Sequence, residues 1–199
     1  MPDVILHLRD GVKMYGALRP LRVRELVLHA GESVALTGVD GPAAAVLADL
    51  ITGAVLPDQG DVVTFGAPTA ALSNGDTWLA SLERFGILSE RAVLLDAMTV
   101  AQNLALPFSV EINPISDTVM ADVLRLAAEV GCAASVLPSR VGDVDPLVRA
   151  RVRLARALAT GPHLLLAEHP NALVPANQTA ALAADLSRVT AARGIAALT

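Results

Sequence analysis

Nine consecutive residues, Gly38-Val39-Asp40-Gly41-Pro42-Ala43-Ala44-Ala45-Val46, stand where an apolar run meets a helix-forming one. Val34, Ala35 and Leu36 lead into a turn bracketed by Gly38 and Gly41. Pro42 then opens an Ala/Leu-rich segment that stops at Gly53. Proline just inside a helix and glycine just past its end are the usual punctuation of one. Strand, glycine turn and helix form the frame of a phosphate-binding loop, in which backbone N–H groups and a helix N-terminus hold anions. The full motif, G-x-x-x-x-G-K-[ST], adds a lysine for the phosphates and a hydroxyl for Mg²⁺. Here Ala44 and Ala45 occupy those two positions, and Ala43 occupies that of the last glycine. Pro42 withdraws a backbone donor. Asp40 puts a carboxylate where phosphate would lie; at about 5 Å and an effective dielectric near 20, each repelling pair costs about 3 kcal/mol. The same stretch also reads as an ordinary strand-to-helix turn, with Asp40 a solvated turn residue.

The elements around this junction follow from hydrophobic period and punctuation. Val4–Arg9 and Leu21–His29 alternate as strands, with a turn expected at Asp10-Gly11 and His7 read as a strand residue. Asp61–Phe65, Gly86–Leu88 and Leu164–Ala167 read as further strands, the last apolar throughout, as suits a central parallel strand. Helices are expected at Thr77–Phe85 (capped from the Ser73–Asp76 loop), Thr99–Leu106, Asp117–Val130, Val144–Ala159 and Asn177–Ala192. In the fourth of these Leu147, Leu154, Ala155 and Leu158 face inward. Arg149, Arg151, Arg153 and Arg156 then need water or carboxylates, and such a face is ordinarily a solvated one. An apolar segment, Ile195–Leu198, comes last. Two early strands followed by a buried strand feeding a helix suggest a small β-rich subdomain beside an α/β core.

Composition narrows the classes. A chain of 199 residues suits one domain and can bury a core without disulfides or metal. Its 53% hydrophobic content lies in short runs, none of the roughly 18 residues a membrane span needs. Met-Pro-Asp does not open a signal peptide, so a cytosolic protein is expected. The single cysteine, Cys132, excludes an intrachain disulfide and reads as core packing. A net charge of −5 gives no reason to expect nucleic acid, and no basic amphipathic helix suggests direct membrane binding. Lys13 is the only lysine, against fourteen arginines.

Six segments in order carry a resemblance to a known family: Ala30-Gly-Glu-Ser-Val-Ala-Leu-Thr-Gly38; Leu56-Pro-Asp-Gln-Gly-Asp61; Leu94 to Pro107; Arg151-Val-Arg-Leu-Ala-Arg-Ala-Leu158; Pro162-His-Leu-Leu-Leu-Ala-Glu-His-Pro170; and Tyr15 ahead of them all. In this the chain resembles the ATP-binding subunit of an ABC transporter over nearly its whole length. The resemblance implies an α/β fold: a P-loop NTPase-like core of mostly parallel sheet flanked by helices. An N-terminal antiparallel β subdomain and a helical subdomain over roughly 90–160 would complete a single domain, 1–199.

Residue by residue, Tyr15 takes the place of the aromatic that stacks on adenine, and Gly38–Val46 that of the phosphate loop. Glu90 takes the place of the Q-loop glutamine, though it also reads as a plain surface glutamate. Glu168 replaces the Walker B aspartate and keeps a carboxylate. His169 stands where the catalytic glutamate belongs; it could act as a base, but without lysine or Mg²⁺ the transition-state charge is unstabilised. The signature falls at Val144-Asp-Pro-Leu-Val148, which lacks a small, donor-rich helix start. Val174 replaces the D-loop aspartate, and the chain stops at Thr199, before the switch histidine.

The resemblance implies ATP as a weakly held cofactor with no proper Mg²⁺ site. It implies a membrane permease or an ABC-type partner subunit, met near Thr99–Pro107, and head-to-tail dimerisation. The location would be cytoplasmic, peripheral at the inner face of the membrane. The expected function is a catalytically inactive homologue with a structural or regulatory role in transport. Two alternatives stay open: a residual ATP/ADP-binding module, and a working ATPase of unusual site chemistry.

Overall fold

Alternating apolar residues on the first two strands decide the outer layer. In the computed structural model, which describes residues 3–72 and 75–199, β1 (Val4–Lys13) pairs antiparallel with β2 (Leu21–His29) and with β4 (Gln59–Thr64). β5 (Ala67–Pro68) extends this sheet, in the order β2-β1-β4-β5. Leu6, Leu8 and Leu28 are fully buried on its inner face. The second sheet is parallel and runs β3-β8-β7-β6, formed by β3 (Ser33–Val34), β6 (Phe85–Leu88), β7 (Leu164–Ala167) and β8 (Ala196–Leu198). All four residues of β7 are buried, as its continuous apolar run requires of an interior parallel strand.

α1 (Gly41–Thr52) packs on both sheets. Its Leu47, Leu50 and Ile51 share one apolar cluster with Leu6, Leu8 and Leu28 of the first sheet and Leu164 and Leu166 of the second. α2 (Gly75–Leu82) is tied to it by Trp78, whose indole N–H donates to the Thr52 carbonyl at 3.1 Å. α3 (Val100–Ala105), α4 (Asp117–Glu129) and α5 (Pro146–Leu158) form the second cluster with the opposite side of β7, and α6 (Thr179–Arg193) closes it. The architecture is therefore the expected α/β one: a parallel sheet, an antiparallel β subdomain and a set of helices between β6 and β7. No helix among the described residues is long and apolar enough to cross a membrane.

Three expectations need correction. Asp10-Gly11 is not a turn: β1 runs on to Lys13, with a bulge against β4 between Arg9 and Val12. Asp10 takes a left-handed φ of 50°, which aspartate tolerates. The opposing Gly60 has no room for a side chain, since a Cβ there would lie 2.4 Å from the carbonyl oxygens of Arg9 and Asp10. Phe85 does not end a helix but starts β6, where it is buried against Phe65 with ring centroids 5.2 Å apart. The cap expected from Ser73 and Asn74 lies outside the described residues.

The arginine face of α5, finally, is stitched to neighbouring backbone as well as to carboxylates. Arg149 pairs with Asp96 at 2.8 Å and donates to the Val141 carbonyl; Arg151 pairs with Asp185 at 2.8 Å and donates to the Gly131 carbonyl. Arg153 and Arg156 donate to the carbonyls of Ala92 and Val93. Burial lowers the pKa of both of these guanidinium groups. Cys132 is core, as expected, and burial pushes its thiol up to about 11.

Candidate functional site

The turn after β3 brings the chain to the N-terminus of α1. Gly38 adopts φ 77°, a conformation that disfavours any residue with a Cβ. Half-buried Val39 follows, and Asp40 then caps the helix. The Asp40 carboxylate accepts the N–H of Ala43 at 2.8 Å, and its carbonyl accepts that of Ala44 at 2.8 Å. Pro42 has no N–H to offer. The Ala44 bond is the ordinary first bond of the helix. Of the donors ahead of it, that of Ala43 is bound to the Asp40 carboxylate and Pro42 has none, which leaves the Gly41 N–H. Ala43 is buried, while Ala44, Ala45 and Val46 are half-buried on the helix and carry no polar side-chain atom. A helix N-terminus draws anions through its free donors and partial positive charge. Here the protein's own carboxylate meets both.

Facing this turn are the residues after β7. His169 has φ 45° and ψ 55°, a left-handed conformation that costs a non-glycine residue about 1–2 kcal/mol. It places the imidazole Cδ2 4.0 Å from where a Cβ on Gly41 would lie, so the ring rests against the first residue of α1. Glu168 pairs with Arg91 of the turn after β6. Its side chain is only 10% exposed, and it receives Arg91 Nη2 at 2.6 Å. The same nitrogen lies 3.8 Å from Asp49 of α1. The Glu168 hydrogen bond holds Arg91 above its ordinary pKa. Glu90, next to it, is exposed, and its charge acts on Arg153 of α5. Gly38, Val39, Ala44, Glu168 and His169 share the lining of a largely apolar cavity of about 550 Å³ with Leu47, Ile51 and Leu186. Tyr15 is half-buried in the loop between β1 and β2.

The second helix N-terminus of interest is that of α5. Asp145 caps it, accepting the Leu147 N–H at 2.9 Å, and Pro146 is its first residue. Gln178 Nε2 lies 3.0 Å from each oxygen of the Asp145 carboxylate. This end too is closed by its own aspartate and proline.

The residue that sequence reasoning missed is Arg91. The one lysine, Lys13, pairs with Asp58 at 2.9 Å, away from this turn. The signal was a cation immediately after Glu90, on a turn that the buried Ser89 closes by accepting the Arg91 N–H. The residues present lack the usual side-chain contacts for a nucleotide's phosphates and for Mg²⁺. The lysine and hydroxyl positions are alanines, the Ala43 donor is held by Asp40, and Glu168 already pairs with Arg91.

Comparison with known proteins identifies the frame in which these residues sit. Residues 21–172, more than half of the chain, match the family model described as ABC transporter. The chain is 30% identical over 200 residues to the phosphonates import ATP-binding protein PhnC of Anaeromyxobacter dehalogenans, covering 96% of this chain and 40% of that one. It is 31% identical over 183 residues to the hemin import ATP-binding protein HmuV of Thermobifida fusca, covering 85% of this chain and 58% of that one. The chain thus spans less than two thirds of the length of either relative. Among solved structures, cbiO1 of Clostridium perfringens, part of the ABC transporter complex cbiONQ, superposes with a TM-score of 0.80 at 17% identity. That match covers 98% of this chain and 77% of that one. The dimeric ATP-binding cassette MJ0796, bound to ADP and Pi, gives 0.74 at 17% identity, covering 98% of this chain and 86% of that one. These two likenesses concern the fold. With a family model matched from β2 to the segment after β7, and with the strand order and helices described above, the chain belongs to the ABC transporter ATP-binding family.

Proposed function

We propose that this chain is a catalytically inactive ABC ATP-binding-subunit homologue with a structural or regulatory role in a transport complex. The observation that carries the reading is the closure of the α1 N-terminus by Asp40 and Pro42, beside alanines at the lysine and hydroxyl positions. Phosphoryl transfer depends almost wholly on positioning and on stabilising negative charge. A site whose donors serve its own carboxylate does neither. His169 lies beside Gly41, but no residue of the turn supplies the positive charge that a histidine base would need to be useful.

The rest of the reading is an extension from family membership. The chain is taken as a single domain over 1–199, with a helical subdomain near 90–160. It pairs with an ABC-type subunit or a membrane permease and works at the inner face of the membrane. In a head-to-tail dimer it would bring a closed phosphate turn to one composite site and a closed α5 N-terminus to the other.

The test is the ATPase rate of the purified chain with Mg²⁺. The reading predicts a background rate that His169→Ala leaves unchanged. A robust Mg²⁺-dependent rate abolished by His169→Ala would overturn it.

A further inference from the structure

Arg91 stands between carboxylates from two different elements. Its Nη2 lies 2.6 Å from Glu168 Oε1, just past the end of β7, and 3.8 Å from Asp49 Oδ1 on α1. The turn that presents it is closed twice through Ser89, whose hydroxyl accepts the Arg91 N–H at 3.0 Å and whose carbonyl accepts the Ala92 N–H at 3.2 Å. Immediately beyond, α5 takes hold of the chain. Arg153 Nε donates to the Ala92 carbonyl at 3.2 Å and Arg156 Nη1 to that of Val93 at 2.7 Å. The segment 89–93 is therefore anchored to β7 and α1 through Arg91 at one end, and to α5 through two arginines at the other.

We propose that Arg91 is the resident cation of this site, hydrogen-bonded to Glu168 and facing Asp49, and that it fixes segment 89–93 without nucleotide or metal. This deepens the reading of an inactive site and rests on it. A guanidinium stays charged at any physiological pH and matches carboxylate geometry with parallel donors. Glu168 is nine-tenths buried, so an unpaired charge there is costly, while Arg91 reaches it from an exposed turn. A metal approaching Glu168 would meet a cation already hydrogen-bonded to Oε1. The chain thus joins its β7 end to α5 by covalently attached charges, a connection that no diffusible ligand controls. Arg91 is a positioning residue here, and its test must read position and metal response rather than turnover.

The experiment is hydrogen exchange of the amides in 89–95, with thermal melts, for the wild type, Arg91→Gln, Arg91→Lys and Glu168→Gln, each with and without millimolar Mg²⁺ or Mn²⁺. The wild type should show no metal response. Arg91→Gln should exchange about tenfold faster across 89–93, the size expected when a charge-assisted hydrogen bond is lost. Arg91→Lys should recover part of the protection. Glu168→Gln keeps the fold's shape and tests the same link from the other side, with faster exchange and no metal response. Metal-dependent protection of the wild type, or wild-type exchange in both Arg91→Gln and Glu168→Gln, would overturn the proposal. The ATPase rate is a separate readout: turnover by the wild type contradicts the inactive-site reading, whereas the exchange data bear on the Arg91 link alone.

Discussion

α1 and α5 both begin with an aspartate cap and a proline in the first turn, yet they are held differently. Asp40 accepts from Ala43 within its own helix. Asp145 accepts from Leu147 and is also gripped by Gln178, from the turn preceding α6. The far ends differ too. α1 finishes at Thr52 under the Trp78 indole, while the last residue of α5, Leu158, has its carbonyl bound by Arg193, which also pairs with both oxygens of Glu129. α1 is therefore a helix held by its apolar face with a locally closed N-terminus. α5 is pinned by charged side chains along its length. The same sequence device gives a local cap in one place and a tertiary joint in the other.

The comparison breaks down if the two helices differ in their cores rather than at their ends. Leu50 of α1 and Leu154 of α5 are both essentially inaccessible. Leu50→Ala and Leu154→Ala should each lower stability by about 3 kcal/mol, measured by chemical denaturation. A much smaller loss for one of them would mean that its helix is not anchored through that face.

The caps sharpen it. Asp40→Ala should cost about 1 kcal/mol, the usual value for an N-cap. Asp145→Ala should cost nearer to 2 kcal/mol, because Gln178 also loses its partner. Equal losses would place no weight on the Gln178 contact, and the distinction between a local cap and a tertiary joint would fall.

The smallest effect concerns pH. The hydrogen bonds from Arg193 hold Glu129 below its ordinary pKa. A carboxyl lowered on folding stabilises above its unfolded value, and that contribution is lost as pH falls through the folded one. The loss should begin below about pH 4.3. Arg193→Gln should lower stability at neutral pH and flatten the decline below that value, in melts taken across the acid range. A decline as steep as that of the wild type would assign it to other carboxylates.

What could be read from the sequence was what local rules write there. The ends of α1 were legible because Pro42 and Gly53 mark them, and α3 as the short helical run from Thr99 to Leu106; its Thr99–Gln102 capping box and the Asp40 cap emerge from the structure. The continuous apolar run at Leu164–Ala167 announced an interior strand. The bulge at Asp10 was not legible, because a left-handed aspartate beside glycine reads as a turn unless the flanking strands are known to pair on both sides. The partners of the α5 arginines were hidden for a similar reason. Ala92, Val93, Gly131 and Val141 offer backbone carbonyls, which carry no side-chain signature. Within the site, the replacements at Ala44, Ala45 and His169 could be seen directly. Arg91 could not, since its role depends on Glu168, 77 positions away.

The most direct measurement is calorimetric titration of the purified chain with ATP, with and without Mg²⁺. A phosphate turn closed by Asp40 and Pro42, with Glu168 held by Arg91, predicts either no heat of binding at millimolar nucleotide or weak binding that Mg²⁺ does not strengthen. Binding that tightens with Mg²⁺ would mean that other groups supply the missing cation and hydroxyl, and would contradict the account of a site closed by its own side chains.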